Sequence, residues 1–250
     1  MGTRRHSDSV ATAEIVARRL GLRLQLGMAL LALMVAGVSG CAVRAGRVHD
    51  ELATAADRQD PLAICDALEA LIDAGTATLA DRQFAYDAVC AHPEDSAAYD
   101  YARAAITGRL VQQKGLLAAN LIADVEHYAR RSREIDPTFR EGAATRLLGT
   151  LYVLAPGPLL HHGDSEEGLA LLEGLAEKHP EVLENQLRLA EAYIALGDAE
   201  PAHPHLCRCI AQETSLRPDD RRLLHQLIGN SGTLQCPPAS PPGTSPAPRA

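Results

Sequence analysis

Tryptophan is absent from this chain of 250 residues and phenylalanine occurs only twice. A two-sheet sandwich core is built from alternating large and branched side chains, and such a core has little to draw on here. The apolar content is mainly alanine and leucine, which suits helices packed closely through small residues. Also missing are a phosphate-binding loop, a dinucleotide glycine pattern and any Ser-His-Asp arrangement. Carboxylates are plentiful, but none sits in a context that would raise its pKa. The sequence therefore supports neither catalysis nor a cofactor. Positive charge is short as well. The whole chain carries −8, and removing residues 1–40 takes away five arginines and two carboxylates, leaving −11. A body that acidic repels nucleic acid and anionic head groups. Nucleic acid is excluded as the main partner.

Both ends read as something other than folded domain. From Leu24 to Gly40 the sequence is apolar and uncharged, Gln25 being its only strongly polar side chain, and a basic flank precedes it. The run sits at the lower limit for crossing a bilayer and ends in small residues, as a secretory signal does. It stops at Val38-Ser39-Gly40-Cys41, which resembles the lipoprotein box of bacteria, with Val38 where leucine is commoner. The resemblance implies that residues 1–40 are a signal peptide and that Cys41 is diacylated and becomes the new N-terminus. Two acyl chains hold a protein on a membrane without a spanning helix. Ala42 carries no retention signal of the enteric type, so the expected address is the periplasmic face of the outer membrane. The competing readings are an uncleaved signal anchor and cleavage by ordinary signal peptidase. Arg18-Arg19 reads as part of the basic flank rather than as a twin-arginine signal. At the other end, residues 231–250 hold six prolines and no apolar pattern, and 230–250 is expected to be a disordered tail.

Between these ends, 41–59 reads as a tether or irregular helix and 60–229 as an all-α domain. Asp60-Pro61 opens a helix that Gly75 ends, with Leu62, Cys65, Leu68 and Ile72 on one face. A second, over 78–91, aligns Leu79, Tyr86 and Cys90 and stops at His92-Pro93. Asp95-Ser96 restarts a helix to about Gln113, Gly115 marks a bend, and Leu117, Leu121, Val125 and Tyr128 line the next. Asp136-Pro137 is expected to begin another, with Phe139, Ala143, Leu147, Leu151 and Leu154 buried. Asp164 caps a further helix, with Leu169, Leu172 and Ala176 inward. Leu183, Leu187, Ala190 and Ile194 line its successor. Pro201 and Pro204 are expected to delay the following helix to about 202–205. A last helix covers 218–229.

One hairpin is written twice. Leu148-Gly149-Thr150-Leu151-Tyr152 is answered by Leu189-Ala190-Glu191-Ala192-Tyr193, and Gly163-Asp164 by Gly197-Asp198, 34 residues on. Gly168, Leu172 and Ala176 then match Ala202, Leu206 and Ile210. That period, with small residues where two helices must approach, is the signature of a tetratricopeptide-type (TPR-like) α-solenoid of antiparallel helical hairpins.

The cysteines left after Cys41 are Cys65, Cys90, Cys207, Cys209 and Cys236. An exported protein meets an oxidising compartment, so a Cys65–Cys90 disulfide leads the reading, with two buried thiols as its rival. Cys207 or Cys209 is expected to pair with Cys236. His203, His205, Cys207 and Cys209 have metal-ligand character, but residues two apart on a helix point to nearly opposite sides and cannot close one site. No metal is assigned.

Residues 95–213 resemble the T-component of TRAP-type transporters, a family of bacterial lipoproteins built from TPR-like hairpins. The resemblance rests on Glu134-Ile135-Asp136-Pro137-Thr138-Phe139, on Arg146-Leu147-Leu148-Gly149-Thr150-Leu151-Tyr152, and on the proline-rich loop leading to Gly163-Asp164. It implies a periplasmic solute-binding protein as partner and places loop 155–163 beside a concave face. Pro156, Leu159, His161, His162 and Asp164 are then candidates for contact with partner or ligand. Two functions follow: a non-catalytic, lipid-anchored scaffold for a protein partner, and a transport accessory holding a small hydrophobic or organic-anion ligand between its helices. A filled core with a polar groove would favour the first, a cavity lined by leucine and tyrosine the second.

Overall fold

The computed structural model describes residues 47–230 and Cys236, all within one unit of the chain, Gly46–Ala250. The signal segment, Cys41 and the proline tail apart from Cys236 lie outside the described residues. Those described form helices joined by loops and turns, without a strand, and none of their helices is long and apolar enough to cross a membrane. In chain order the α-helices are α1 (Asp50–Asp57), α2 (Pro61–Asp73), α3 (Leu79–Ala91), α4 (Ala97–Lys114), α5 (Ile122–Ile135), α6 (Ala143–Leu154), α7 (Ser165–Lys178), α8 (Leu183–Ala195), α9 (Ala199–Ala211) and α10 (Pro218–Asn230).

The starts follow from capping chemistry. The Asp60 carboxylate accepts from the N–H groups of Leu62 and Ala63, and Pro61 occupies the first helical position, where its missing donor costs nothing. Thr78 and Asp81 form a reciprocal capping box at α3. The Ser96 hydroxyl accepts from Tyr99 at α4, and Asp164 from Glu166 and Glu167 at α7. α1 falls where a tether or irregular helix is expected; it is regular, and its Leu52 is buried in a core shared with α2, α3 and α4.

Three consecutive antiparallel pairs follow: α4 with α5, α6 with α7, and α8 with α9. In the first, the Ser132 hydroxyl donates to the Ala97 carbonyl while Tyr128 meets Tyr99 edge-on. In the second, Gly149 and Gly168 face each other. A Cβ added at Gly149 would lie 2.7 Å from Leu172 Cγ and 3.0 Å from the Gly168 oxygen, and one at Gly168 would lie 2.8 Å from the Gly149 oxygen. The two backbones touch, so neither position has room for a side chain. The matching positions on α8 and α9 are Ala190 and Ala202, both fully buried. α6 also packs on α8, α8 on α10, and α10 reaches back to α2.

Several boundaries and faces differ from expectation, each for a physical reason. α9 starts at Ala199 despite its prolines. Pro201 falls in the first turn, where N–H groups lack helical acceptors in any case, and only Pro204 removes an internal bond. α6 starts at Ala143, not Pro137, because Arg140, Glu141 and Gly142 all turn through positive φ. Phe139 is left outside the helix, packed on Tyr101. After Gly115 (φ 58°) the chain runs as a 3-10 turn to Leu121, leaving Leu116 and Leu117 82% and 90% exposed. On α3 the inward row is Asp81, Ala85 and Val89, while Leu79 is half exposed.

Gly168→Ala is expected to lower stability by roughly 1–3 kcal/mol through overpacking, although alanine is the better helix former. A urea midpoint equal to or above that of the parent would show that the α6–α7 approach imposes no such constraint.

Candidate functional site

The buried row of α6 is Ala144, Leu148 and Tyr152, which meets α5 and α7. The neighbouring row, Leu147, Leu151 and Leu154, is the one that sequence periodicity assigns to the core. It instead forms one wall of a cleft of about 490 Å³ between α4, α5, α6 and α8. Val111 and Gly108 on α4, Leu116 and Ala119 on the 3-10 turn, and Ile122 and Val125 on α5 complete the apolar part. A Cβ at Gly108 would meet nothing within 4 Å, so that stretch of α4 borders open space. Leu116, Leu154 and Pro156 lie among the lining residues, and both leucines are well exposed.

The rest of the lining is charged: Arg109, Arg146, Arg188 and Arg217 against Glu69, Glu184 and Asp220. Three of the four arginines are paired. Arg109 grips both oxygens of Glu69 at 2.7 Å and reaches Asp219 at 3.0 Å. Arg217 joins the same Glu69 at 2.7 Å and Asp73 at 2.9 Å. Arg188 bridges Glu191 and Asp220, each at 2.9 Å. Arg146 has no carboxylate at ion-pair distance among the described residues; its Nη1 donates to the Asn185 side-chain oxygen at 2.7 Å. Burial pulls its pKa below the usual guanidinium value, the direction expected of a cation with incomplete compensation. A guanidinium nevertheless stays charged at neutral pH. Burial also pushes the Tyr101 hydroxyl up to about 12, so it remains a neutral donor beside the cleft.

Glu69 ties α2, α4 and the start of α10 together. Arg222 adds a hydrogen bond to the Ile72 carbonyl, and the Asp219 N–H donates to Asp73. Burial of Glu69 would raise its pKa, but the bonds and charges of Arg109 and Arg217 outweigh it and hold the carboxyl below its ordinary value.

The loop singled out in the sequence is held elsewhere for the most part. Buried Glu126 on α5 accepts from the backbone N–H groups of His161 and His162, both at 2.8 Å, and the Tyr152 hydroxyl lies against it. Asp164 is spent on the α7 cap, and Leu159 closes a short 3-10 turn. Pro156 alone of the five named residues lines the cleft.

The cysteines divide differently from the leading reading. Cys65 and Cys90 remain free thiols. Cys65 lies in the core, whereas Cys90 sits at its edge, one step off the inward row of α3. Cys207 is bonded to Cys236. Cys209 is buried, with its thiol directed at the Leu183 carbonyl, and burial pushes both it and Cys65 up to about 12. Because α9 is helical, His203, His205, Cys207 and Cys209 diverge, and His205 bonds Gln186 at 2.7 Å and stacks on Tyr193. No three or more metal-ligating side chains cluster among the described residues.

In the sequence Arg146 stands out only as part of the stretch that carries the family resemblance, and Glu69 does not stand out at all. A usable signal existed for Arg146: no acidic residue stands three or four positions away on its own helix. The pairing of Glu69 with Arg217 spans 148 residues and leaves no local trace. No family model matches the chain, and no curated protein matches it in sequence.

Glu69→Gln would leave two half-buried arginines short of a counter-charge, at a cost of about 3 kcal/mol at neutral pH. Because the folded pKa of Glu69 lies below its unfolded value of about 4.3, its contribution is fully present above that pH and is lost as pH falls through the folded value. The variant's stability should therefore change less than the parent's between neutrality and pH 3. Parallel pH profiles for the two, measured by denaturant midpoint, would contradict the ion-pair account.

Proposed function

We propose that this is a non-catalytic, exported, lipid-anchored binding protein whose TPR-like helical array holds one small molecule in the cleft between α4, α5, α6 and α8. The observation that carries the reading is the row Leu147, Leu151 and Leu154. It has core periodicity, yet all three leucines line open volume, although Leu147 also touches the core around Ala104 and Ala129. A cleft of this size, with an apolar wall and a group of charged side chains mostly committed to one another, can serve as a small-molecule site. The α-solenoid reading is supported by three successive antiparallel pairs, by the packing of α6, α8 and α10 on one another, and by the 34-residue register that starts α7 and α9 just after Asp164 and Asp198. Anchoring through Cys41 would keep the cleft close to a membrane surface. Association with a periplasmic solute-binding protein, in a TRAP-type system, is the partner implied by the resemblance of residues 95–213 to T-components.

A second reading keeps the body as a scaffold for a protein partner. Leu116 and Leu117 favour it, as adjacent leucines exposed on the turn after α4. The two readings part on whether the cleft itself is occupied.

The neutral fluorophore N-phenyl-1-naphthylamine serves as a probe. Saturable binding of one equivalent to the parent is expected. Gly108→Phe, which places a ring in open space on α4, should fold normally and weaken that binding about ten-fold or more. Absence of saturable binding, or equal binding by parent and variant, would reject the cleft as a site and leave the scaffold.

A further inference from the structure

The cleft is graded from one end to the other. Arg146 stands at the first turn of α6, and Leu147, Leu151 and Leu154 carry the wall along the same helix to its last residue. From Arg146 to Leu154 the helix rises about 12 Å. Of the four arginines in the lining, Arg146 alone lacks a carboxylate within 4 Å among the described residues. Arg109, Arg188 and Arg217 are each shared between two. Its single side-chain partner is a neutral amide, Asn185 Oδ1, and the Nδ2 of that amide is buried without a hydrogen-bond partner. Asp73, Asp219 and Glu191 pair with three of these arginines from outside the lining, so the polar end has no net excess of cations; Arg146 stands out because it is the one arginine of the lining without a carboxylate partner of its own. A single negative charge would supply that partner. A second would meet Glu184 or Asp220 without a free cation to offset the repulsion, since like charges in a partly desolvated site disfavour each other.

Resting on the reading of the cleft as a small-molecule site, we propose that its ligand is a single-headed organic anion, a carboxylate on an unbranched apolar chain. The carboxylate pairs with Arg146, and the chain lies along Leu147, Leu151 and Leu154 toward Leu116. Arginine suits this role because its planar fork can give two parallel bonds to a carboxylate while Nη1 keeps Asn185. The apolar wall supplies affinity without orientation, and Arg146 decides which end of the ligand goes in first. A neutral alcohol of the same length leaves the guanidinium as it is in the free protein. A dicarboxylate must bury its far charge against leucine.

The test is isothermal titration of the full chain with decanoate, 1-decanol and sebacate, run beside the naphthylamine probe. Decanoate is expected to bind one to one and to displace the probe, with 1-decanol and sebacate each weaker by about ten-fold or more. Arg146→Gln should erase the preference of decanoate over decanol while keeping the probe. Arg146→Lys should retain part of it. Equal affinities of the parent protein for decanoate and decanol, with the probe still bound and lost in Gly108→Phe, would overturn the anion assignment and leave the cleft reading intact. Tight sebacate binding would overturn the single-head statement. Failure of the probe as well would remove both. The comparison among ligands on the parent protein needs no variant, so a poorly folding Arg146→Gln does not rescue the proposal.

Discussion

The contact between the backbones of Gly149 and Gly168 sets the geometry around the cleft. With no side chain on either residue, α6 and α7 come close enough that a Cβ on one would lie within 3.0 Å of the other's carbonyl oxygen. Tyr152 closes over Gly163, whose Cβ would come within 2.1 Å of its ring, and Glu126 draws down the backbone of His161 and His162. These contacts use up one face of α6. The adjacent face is left for the cleft.

At the polar end a second constraint operates over long sequence distance. Glu69 is shared by Arg109 and Arg217, which places the start of α10 against α2 and α4. Buried ion pairs of this kind pay a large desolvation cost and specify arrangement more than they add stability. Here they fix where the charged end of the cleft lies and which arginines are already committed. Arg146 is left with an amide.

The helical fold was legible in the chain because its signals are local. Asp60, Ser96 and Asp164 sit at helix starts with their side chains on the orphan N–H groups, Gly149 and Gly168 meet backbone to backbone, and Ala190 and Ala202 are buried. The facing of individual helices was harder to read. In α3, Ala85 and Val89 are buried while Leu79 is half exposed, and an alanine row carries little contrast in a chain this rich in alanine. On α6 the stripe of leucines is the cleft wall and the inward row runs through Ala144, Leu148 and Tyr152. A cleft and a core demand the same apolar side chains, so periodicity cannot separate them. The Cys65–Cys90 pairing failed because it assumed the wrong inward row for α3, where Cys90 stands one step off Asp81, Ala85 and Val89.

Hydrogen exchange read peptide by peptide, with and without saturating decanoate, tests the central claim most directly, because it reports where occupancy is felt. Slower exchange confined to α4 beyond Gly108, the turn to Leu121, and α6, with α3 and α9 unchanged, is the result expected of a ligand seated between these helices. Protection spread evenly over the chain, or absent from α6, would contradict it.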